Sequence, residues 1–269
     1  MKEKFAIIGC GNIGKAIAEG MIKSEIVKQK DLLVTTKGFE SLSQLEEEGY
    51  SVSEDNRQAV EKSKILIIAV TPQQFTDVVE EIKEVVTSEH TIISVVSGIS
   101  IKQIKEKINS DTPVVRVMPN TAIAIKESMT CLAAEKKDKT AVKLAEKIFN
   151  SVGETVILDE SLMGSATALC ACGVAFFLRA VRAASQGGIE IGFHAEDALH
   201  MAAQTAKGAA AMLLQEKKHP EREIDKVTTP QGVTISGLNQ MEHNGFSSSM
   251  IKGIITAFEK AEVIYKEND

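Results

Sequence analysis

The chain has no excess of positive charge: 31 Lys and Arg stand against 37 Asp and Glu, a formal net charge of −6 over 269 residues. With no basic run and no basic aromatic groove, nothing offers nucleic acid the footprint its phosphates require. Long apolar runs are scarce as well, and none is expected to reach the length that crosses a bilayer. The opening stretch "MKEKFAIIGCGNIG" turns into glycines too early for a signal peptide, which points to a cytoplasmic protein. Cysteines are few: Cys10, Cys131, Cys170 and Cys172. The last two form a C-x-C with no second pair and no nearby histidine, so no metal site is expected. All four are read as reduced thiols that fill small apolar positions. No internal repeat and no low-complexity linker occurs.

What is present divides into two textures. Up to Asp159, short β-branched runs such as "FAIIG", "LLVTT", "ILIIAV", "TIISVVS" and "VVRVMP" alternate with amphipathic stretches such as "QQFTDVVEEIKEVV". Nearly all-apolar strands alternating with helices predict a parallel sheet covered on both faces. From Ser161 on, no strand pattern is convincing, and Ala, Gly and Met recur at helical spacing, as in "AEDALHMAAQTAKGAAAMLL". The expected fold is an α/β Rossmann-type dinucleotide-binding domain over 1–159, followed by an all-helical substrate-binding and dimerisation domain over 160–269. Small residues permit close helix packing, and so apolar a helical half predicts a homodimer built through it.

The first strand runs into "GCGNIG", placing Gly9, Gly11 and Gly14 between a strand and a helix, with Cys10, Asn12 and Ile13 among them. In that context G-x-G-x-x-G is a dinucleotide fingerprint. Gly9 permits the tight turn, Gly11 lets backbone approach a pyrophosphate, and Gly14 lets helix and strand pack closely. The helix start then offers free N–H groups to the phosphates. The second strand ends in Thr35, Thr36 and Lys37, where a site selecting NADH would carry a carboxylate. Asp31 sits at the wrong end of that strand and Glu40 lies too far into the next helix. A hydroxyl and a cation suit a 2′-phosphate, so NADPH is favoured, with NADH possible. Ala69, Val70, Thr71 and Pro72 after one strand, "SVVSG" after another and "VMPNT" after a third would line the nicotinamide side.

The second half offers no nucleophile–base set. His194, His200, His219 and His243 are scattered, and the helix "TALCACGVAFFLRAVRAASQGG" carries arginines but no lysine, which disfavours alcohol dehydrogenation. A protonated cyclic imine needs less: it brings its own proton and charge, and asks the protein for proximity and electrostatics. One hydroxyl-rich junction between two helices, "VTTPQGVTISGLNQME", fits that demand. Together with "GCGNIGKAIAEGM", "AVTPQQ", "SVVSGISI", "VRVMPNT", "GGIEIGF" and "AAAMLL" in the same order, it resembles the pyrroline-5-carboxylate reductase family over nearly the whole chain.

The resemblance implies NAD(P)H-dependent reduction of 1-pyrroline-5-carboxylate to L-proline, the last step of proline biosynthesis. It implies that Thr234 hydrogen-bonds the imine nitrogen and is the catalytic residue. Thr229 and the backbone N–H groups of Gly232, Val233 and Thr234 would hold the substrate carboxylate. Asn56 would contact the adenosine portion of the cofactor, and Asn120 with Thr121 would lie near the nicotinamide. It also allows a larger ring of dimers. On the residues alone, the junction could equally be an ordinary helix cap made by Thr228 or Thr229. The chain departs from the family at "CACGV" (Cys170 to Val174), where serines, glycines and a proline are usual. It departs again at Thr71, usually lysine, and at Gln231, usually glycine. These departures keep open a related reductase of another cyclic imine, or a non-catalytic nucleotide-binding paralogue.

Overall fold

A computed structural model describes residues 4–37, 39–108 and 111–267. The first three residues of the N-terminal stretch lie outside them. Among the described residues, eight strands form one sheet. They are β1 (Phe5–Ile8), β2 (Leu32–Thr35), β3 (Ser51–Ser53), β4 (Ile65–Ile68), β5 (Thr91–Ser94), β6 (Val114–Met118), β7 (Ser128–Ala134) and β8 (Gly153–Ile157). Their spatial order is β3-β2-β1-β4-β5-β6-β7-β8. Helices α1 (Asn12–Lys23), α2 (Phe39–Glu47), α3 (Asn56–Glu61), α4 (Pro72–Ile82), α5 (Ile101–Ile108) and α6 (Lys139–Phe149) fill the connections.

The central strand explains why its sequence does not alternate. In β1, Phe5 and Ile7 join a core with Ile17 and Met21 of α1 and Ile148 and Phe149 of α6. Ala6 and Ile8 join a second core on the opposite face with Phe75, Val79 and Ile82 of α4. Both faces of the strand are dry, so every residue is apolar.

One strand departs from the expected parallel sheet, and another has no counterpart in the sequence pattern. β7 runs antiparallel to β6, with Val117 opposite Leu132, and β8 follows β7 in parallel. The link from Pro119 to Glu127 holds only a 3-10 turn (Thr121–Ile125), too short for the crossover that a parallel strand needs. The strand without a counterpart is β3, a short "SVS" edge strand that pairs β2 in parallel and carries a single apolar residue, too few to signal a strand.

The compact units divide at Ala171/Cys172, with the chain from Phe258 onward returning to the first, whereas the sequence pattern suggests Asp159/Glu160. The reason is packing. Met163 and Ala166 of α7 (Met163–Ala166) share a small core with Cys131 and Ala133 of β7. Glu160 Oε1 accepts from Ile101 N at 2.8 Å and from Arg116 Nη1 at 3.2 Å, tying this segment to α5 and β6. A π-type turn over Thr167–Ala171 follows.

The second unit is helical: α8 (Gly173–Glu190), α9 (Ala195–Glu216), α10 (Pro220–Lys226), α11 (Val233–His243) and the first part of α12 (Phe246–Glu267). A Cβ on Gly188 of α8 would stand 3.1 Å from the Ala198 methyl of α9, so small residues do set that crossing. Phe177, Leu178, Leu199, Leu214 and Ile251 are exposed on the single chain. One helical stretch, Glu160–Glu190, is long and apolar enough by length and composition to cross a membrane. That corrects the expectation that no apolar run reaches such a length. From Ser161 to Leu178 the chain carries no charge, and its many Gly, Ala, Ser and Cys residues disguise the run.

Candidate functional site

The sheet reverses its order between β1 and β4, and in open α/β sheets ligands bind beyond the strand ends at such a point. The glycine turn sits there. Gly9 has φ +94°, and a Cβ on it would stand 2.6 Å from Val70 Cγ1 and 2.8 Å from Ala69 O. The Gly9 and Cys10 N–H groups donate to Thr35 O at 3.1 and 2.9 Å, so the end of β2 holds the turn in place. Gly14 lies under the turn, where a Cβ would come 2.2 Å from Gly9 O. Gly11 is the opposite case: a Cβ there would meet nothing within 4 Å. Its face is open, and no side chain caps α1 behind it. These three environments are the ones a bound pyrophosphate asks of the three glycines, and the residues therefore fit a dinucleotide.

A cavity of about 230 Å³ opens beside the turn. Of the sequence-predicted cofactor residues, Gly9, Cys10, Gly11, Thr35, Thr36, Lys37, Asn56, Ala69, Val70 and Thr71 line it. Asn12 and Ile13 face a neighbouring hollow with Thr121 and Ile123. Pro72 opens α4. Asn120 is occupied: its Oδ1 accepts from Ala122 N at 3.0 Å and its Nδ2 donates to Cys170 O at 3.2 Å. It thereby ties the end of β6 to the π-type turn.

Two polar details at the cavity were not legible beforehand. The Thr35 hydroxyl is spent, donating to Asn56 Oδ1 at 2.7 Å with both residues buried. Gln74 Oε1 accepts from Thr71 N and Thr71 Oγ1 at 3.2 and 3.1 Å, which gives the start of α4 an uncharged polar face where the family usually carries a lysine. Glu54 and Gln74 also line the cavity and escaped the sequence reading, because neither belongs to the glycine fingerprint. Cys10 is buried among these residues, and burial pushes its thiol up to about 11.

In the helical unit, the junction before α11 is an open helix start. Thr228 Oγ1 donates back to Ile224 O at 2.7 Å, so it belongs to α10. Gly232 N donates to Thr229 O at 2.9 Å, and a Cβ on Gly232 would stand 2.4 Å from Thr229 Oγ1. Gly232 is the N-cap residue, and no side chain caps the first-turn N–H groups of α11. The ordinary-cap alternative thus fails at both Thr228 and Thr229. Val233 is 92% exposed at the tip, and Thr234 follows on the first turn, half-buried. Gln231 adopts φ +60°, a left-handed conformation that disfavours a Cβ, at the position where the family usually has glycine. Gln231→Gly is therefore expected to stabilise the protein by about 1 kcal/mol. A thermal scan should show Tm rising by roughly 2–4 °C.

The departure at "CACGV" acquires a partner in space. The Cys131 thiol donates to Cys170 Sγ at 4.0 Å. That hydrogen bond, with burial, pushes Cys131 up, and accepting it pulls Cys170 down against the effect of burial. Thiolate is the reactive form, so iodoacetamide near neutral pH should modify Cys170 ahead of Cys10 and Cys131. Cys131→Ala should slow labelling of Cys170, as peptide mapping would read.

The sequence profile described as "Pyrroline-5-carboxylate reductase dimerisation" matches residues 160–264, and that described as "NADP oxidoreductase coenzyme F420-dependent" matches residues 4–98. Pyrroline-5-carboxylate reductase 2 of Dictyostelium discoideum is 50% identical, over 96% of this chain and 92% of its own length. Pyrroline-5-carboxylate reductase 1 of the same organism is 52% identical over 97% of this chain, which spans 50% of that relative's length. Among solved structures, the pyrroline carboxylate reductase of Plasmodium falciparum with NADP bound superposes with a TM-score of 0.85. It is 26% identical, over 98% of this chain and 99% of that one.

Proposed function

The chain belongs to the pyrroline-5-carboxylate reductase family, and we propose that it reduces 1-pyrroline-5-carboxylate to L-proline with NAD(P)H, NADPH being favoured. The observation that carries this reading is 50% identity to a relative of that name along 92% of the relative's length. The open Gly11 face supports it from the dinucleotide side, and the uncapped start of α11 from the substrate side.

The roles follow from what each group can do. Gly9, Gly11 and the start of α1 receive the pyrophosphate, with Ala69 to Pro72 alongside, and Asn56 and Lys37 face the adenosine ribose. When bound, the nicotinamide supplies the hydride. In the helical unit, the N–H groups of Gly232, Val233 and Thr234, with Thr229, hold the substrate carboxylate at the positive end of α11. The Thr234 hydroxyl orients the imine nitrogen. The substrate enters as the protonated imine, its carbon accepts the hydride, and the C=N π pair becomes the lone pair on nitrogen. No residue has to deliver a proton, consistent with a helical unit whose histidines are dispersed. The helical unit, within the 160–264 stretch that matches the dimerisation profile, serves as the dimerisation and substrate module. Its exposed Phe177, Leu178 and Leu199 support a homodimer formed through that module, able to build into a ring of dimers, in the cytoplasm.

The test is the decay of NADPH and, separately, NADH absorbance when purified protein meets racemic pyrroline-5-carboxylate. Oxidation with both, faster with NADPH, is the expected result. Tight dinucleotide binding without oxidation would overturn the substrate assignment. It would turn attention to other cyclic imines and to the "CACGV" segment.

A further inference from the structure

The end of β2 carries no acid in sequence, yet the fold brings one to it. Glu81, on α4, lies with Oε1 3.6 Å from Lys37 Nζ. Its other oxygen, Oε2, accepts from Asn56 Nδ2 at 2.5 Å. Asn56 is 6% exposed and fixed in turn by the Thr35 hydroxyl. A chain therefore runs from the strand end through Asn56 to a carboxylate held at one oxygen, and that carboxylate sits against Lys37, the lysine assigned above to the ribose. A second cation of this edge, Arg57 on α3, is likewise held, its Nη1 3.1 Å from Glu84 Oε2.

Building on the dinucleotide reading above, we infer that Glu81 is a specificity-determining residue for the 2′ position of the cofactor ribose. It supplies across space the carboxylate that NADH-selective sites carry at the end of the second strand. A 2′-phosphate brings between one and two negative charges. To use Lys37 it must displace Glu81 or share the ammonium with it, and either way part of the gain is cancelled. A 2′-hydroxyl meets no such repulsion, and Glu81 is an acceptor it can donate to. Lys37 pulls toward NADPH and Glu81 toward NADH, so the site accepts both with modest discrimination. The pair is partly exposed, which limits each effect to about tenfold.

Glu81→Gln keeps an acceptor oxygen for Asn56 and removes only the charge. Calorimetric titration with NADP⁺ and NAD⁺ separates the readings, because a merely structural role would move both affinities by the same factor. The expected result is NADP⁺ binding tightened by about tenfold with NAD⁺ unchanged or weakened. Lys37→Met provides a second arm that keeps the Asn56–Glu81 hydrogen bond and removes only the cation. It should weaken NADP⁺ by about tenfold while sparing NAD⁺, since the retained carboxylate then opposes the phosphate alone. Equal shifts for both dinucleotides in Glu81→Gln, or no shift at all, would overturn the assignment. The readout is binding, so a protein that binds dinucleotide but reduces no imine would count against the proposed reaction alone.

Discussion

Thr234→Ala is expected to lower kcat/KM for the cyclic imine by roughly 10- to 100-fold while NADPH affinity stays at its wild-type value. The first part follows from the proposed bond between the Thr234 hydroxyl and the imine nitrogen, since one hydrogen bond to a charged group contributes about 1.5–3 kcal/mol. The second follows from position. Thr234 stands on the first turn of α11 in the helical unit, whereas the glycine turn and its cavity belong wholly to the first unit. Alanine is the better helix former, so Tm should not fall and misfolding would not explain the loss. Thr234→Ser keeps the hydroxyl and should recover most of the rate. Turnover at wild-type level in Thr234→Ala would remove this residue from the imine site, while an equal loss in the serine variant would point to packing of the methyl group. Steady-state kinetics with NADPH, beside a dinucleotide titration, decides among these.

A second pair of variants makes one chemical change with two opposite outcomes. At Gly11 an added methyl meets no atom within 4 Å, so Gly11→Ala should fold and lose at most about 1 kcal/mol, from alanine being a poorer N-cap than glycine. The methyl would occupy the face that receives the pyrophosphate, and dinucleotide affinity should fall by at least about tenfold. At Gly14 the same methyl would stand 2.2 Å from the carbonyl oxygen of Gly9, a backbone atom with φ +94° that cannot rotate aside. Gly14→Ala should therefore cost about 1–3 kcal/mol of stability and shift α1 against β1, with binding lost as a consequence. Thermal unfolding and dinucleotide titration of the two proteins should separate cleanly. A larger loss of stability in Gly11→Ala than in Gly14→Ala, or full stability in Gly14→Ala, would show that the turn is packed differently.

The sequence by itself determined the elements and the cradle, because both depend on neighbours along the chain. The all-apolar "FAIIG" requires a strand dry on both faces, and three glycines at fixed spacing require a turn, an approach and a close packing whatever surrounds them. The break before α11 was legible too, since Pro230 and Gly232 punctuate a hydroxyl-rich junction between helical runs, but that no threonine caps it was decided by the fold. Strand direction was not. Apolar runs do not encode it, and β7 reverses because the link from β6 is short. Nor does periodicity reveal a polar edge strand such as β3, or the allegiance of residues 160–171 to the first unit, which Glu160 and Met163 fix through side-chain contacts far away in sequence. The charge facing the cofactor's 2′ position belongs to the same class. Read linearly, Thr35 to Lys37 carries only hydroxyls and a cation. Only the order β2-β1-β4 brings α4 beside the end of β2 and sets Glu81 against Lys37 and Asn56. Electrostatic energy depends on distance in space, and that distance does not exist until the sheet has formed.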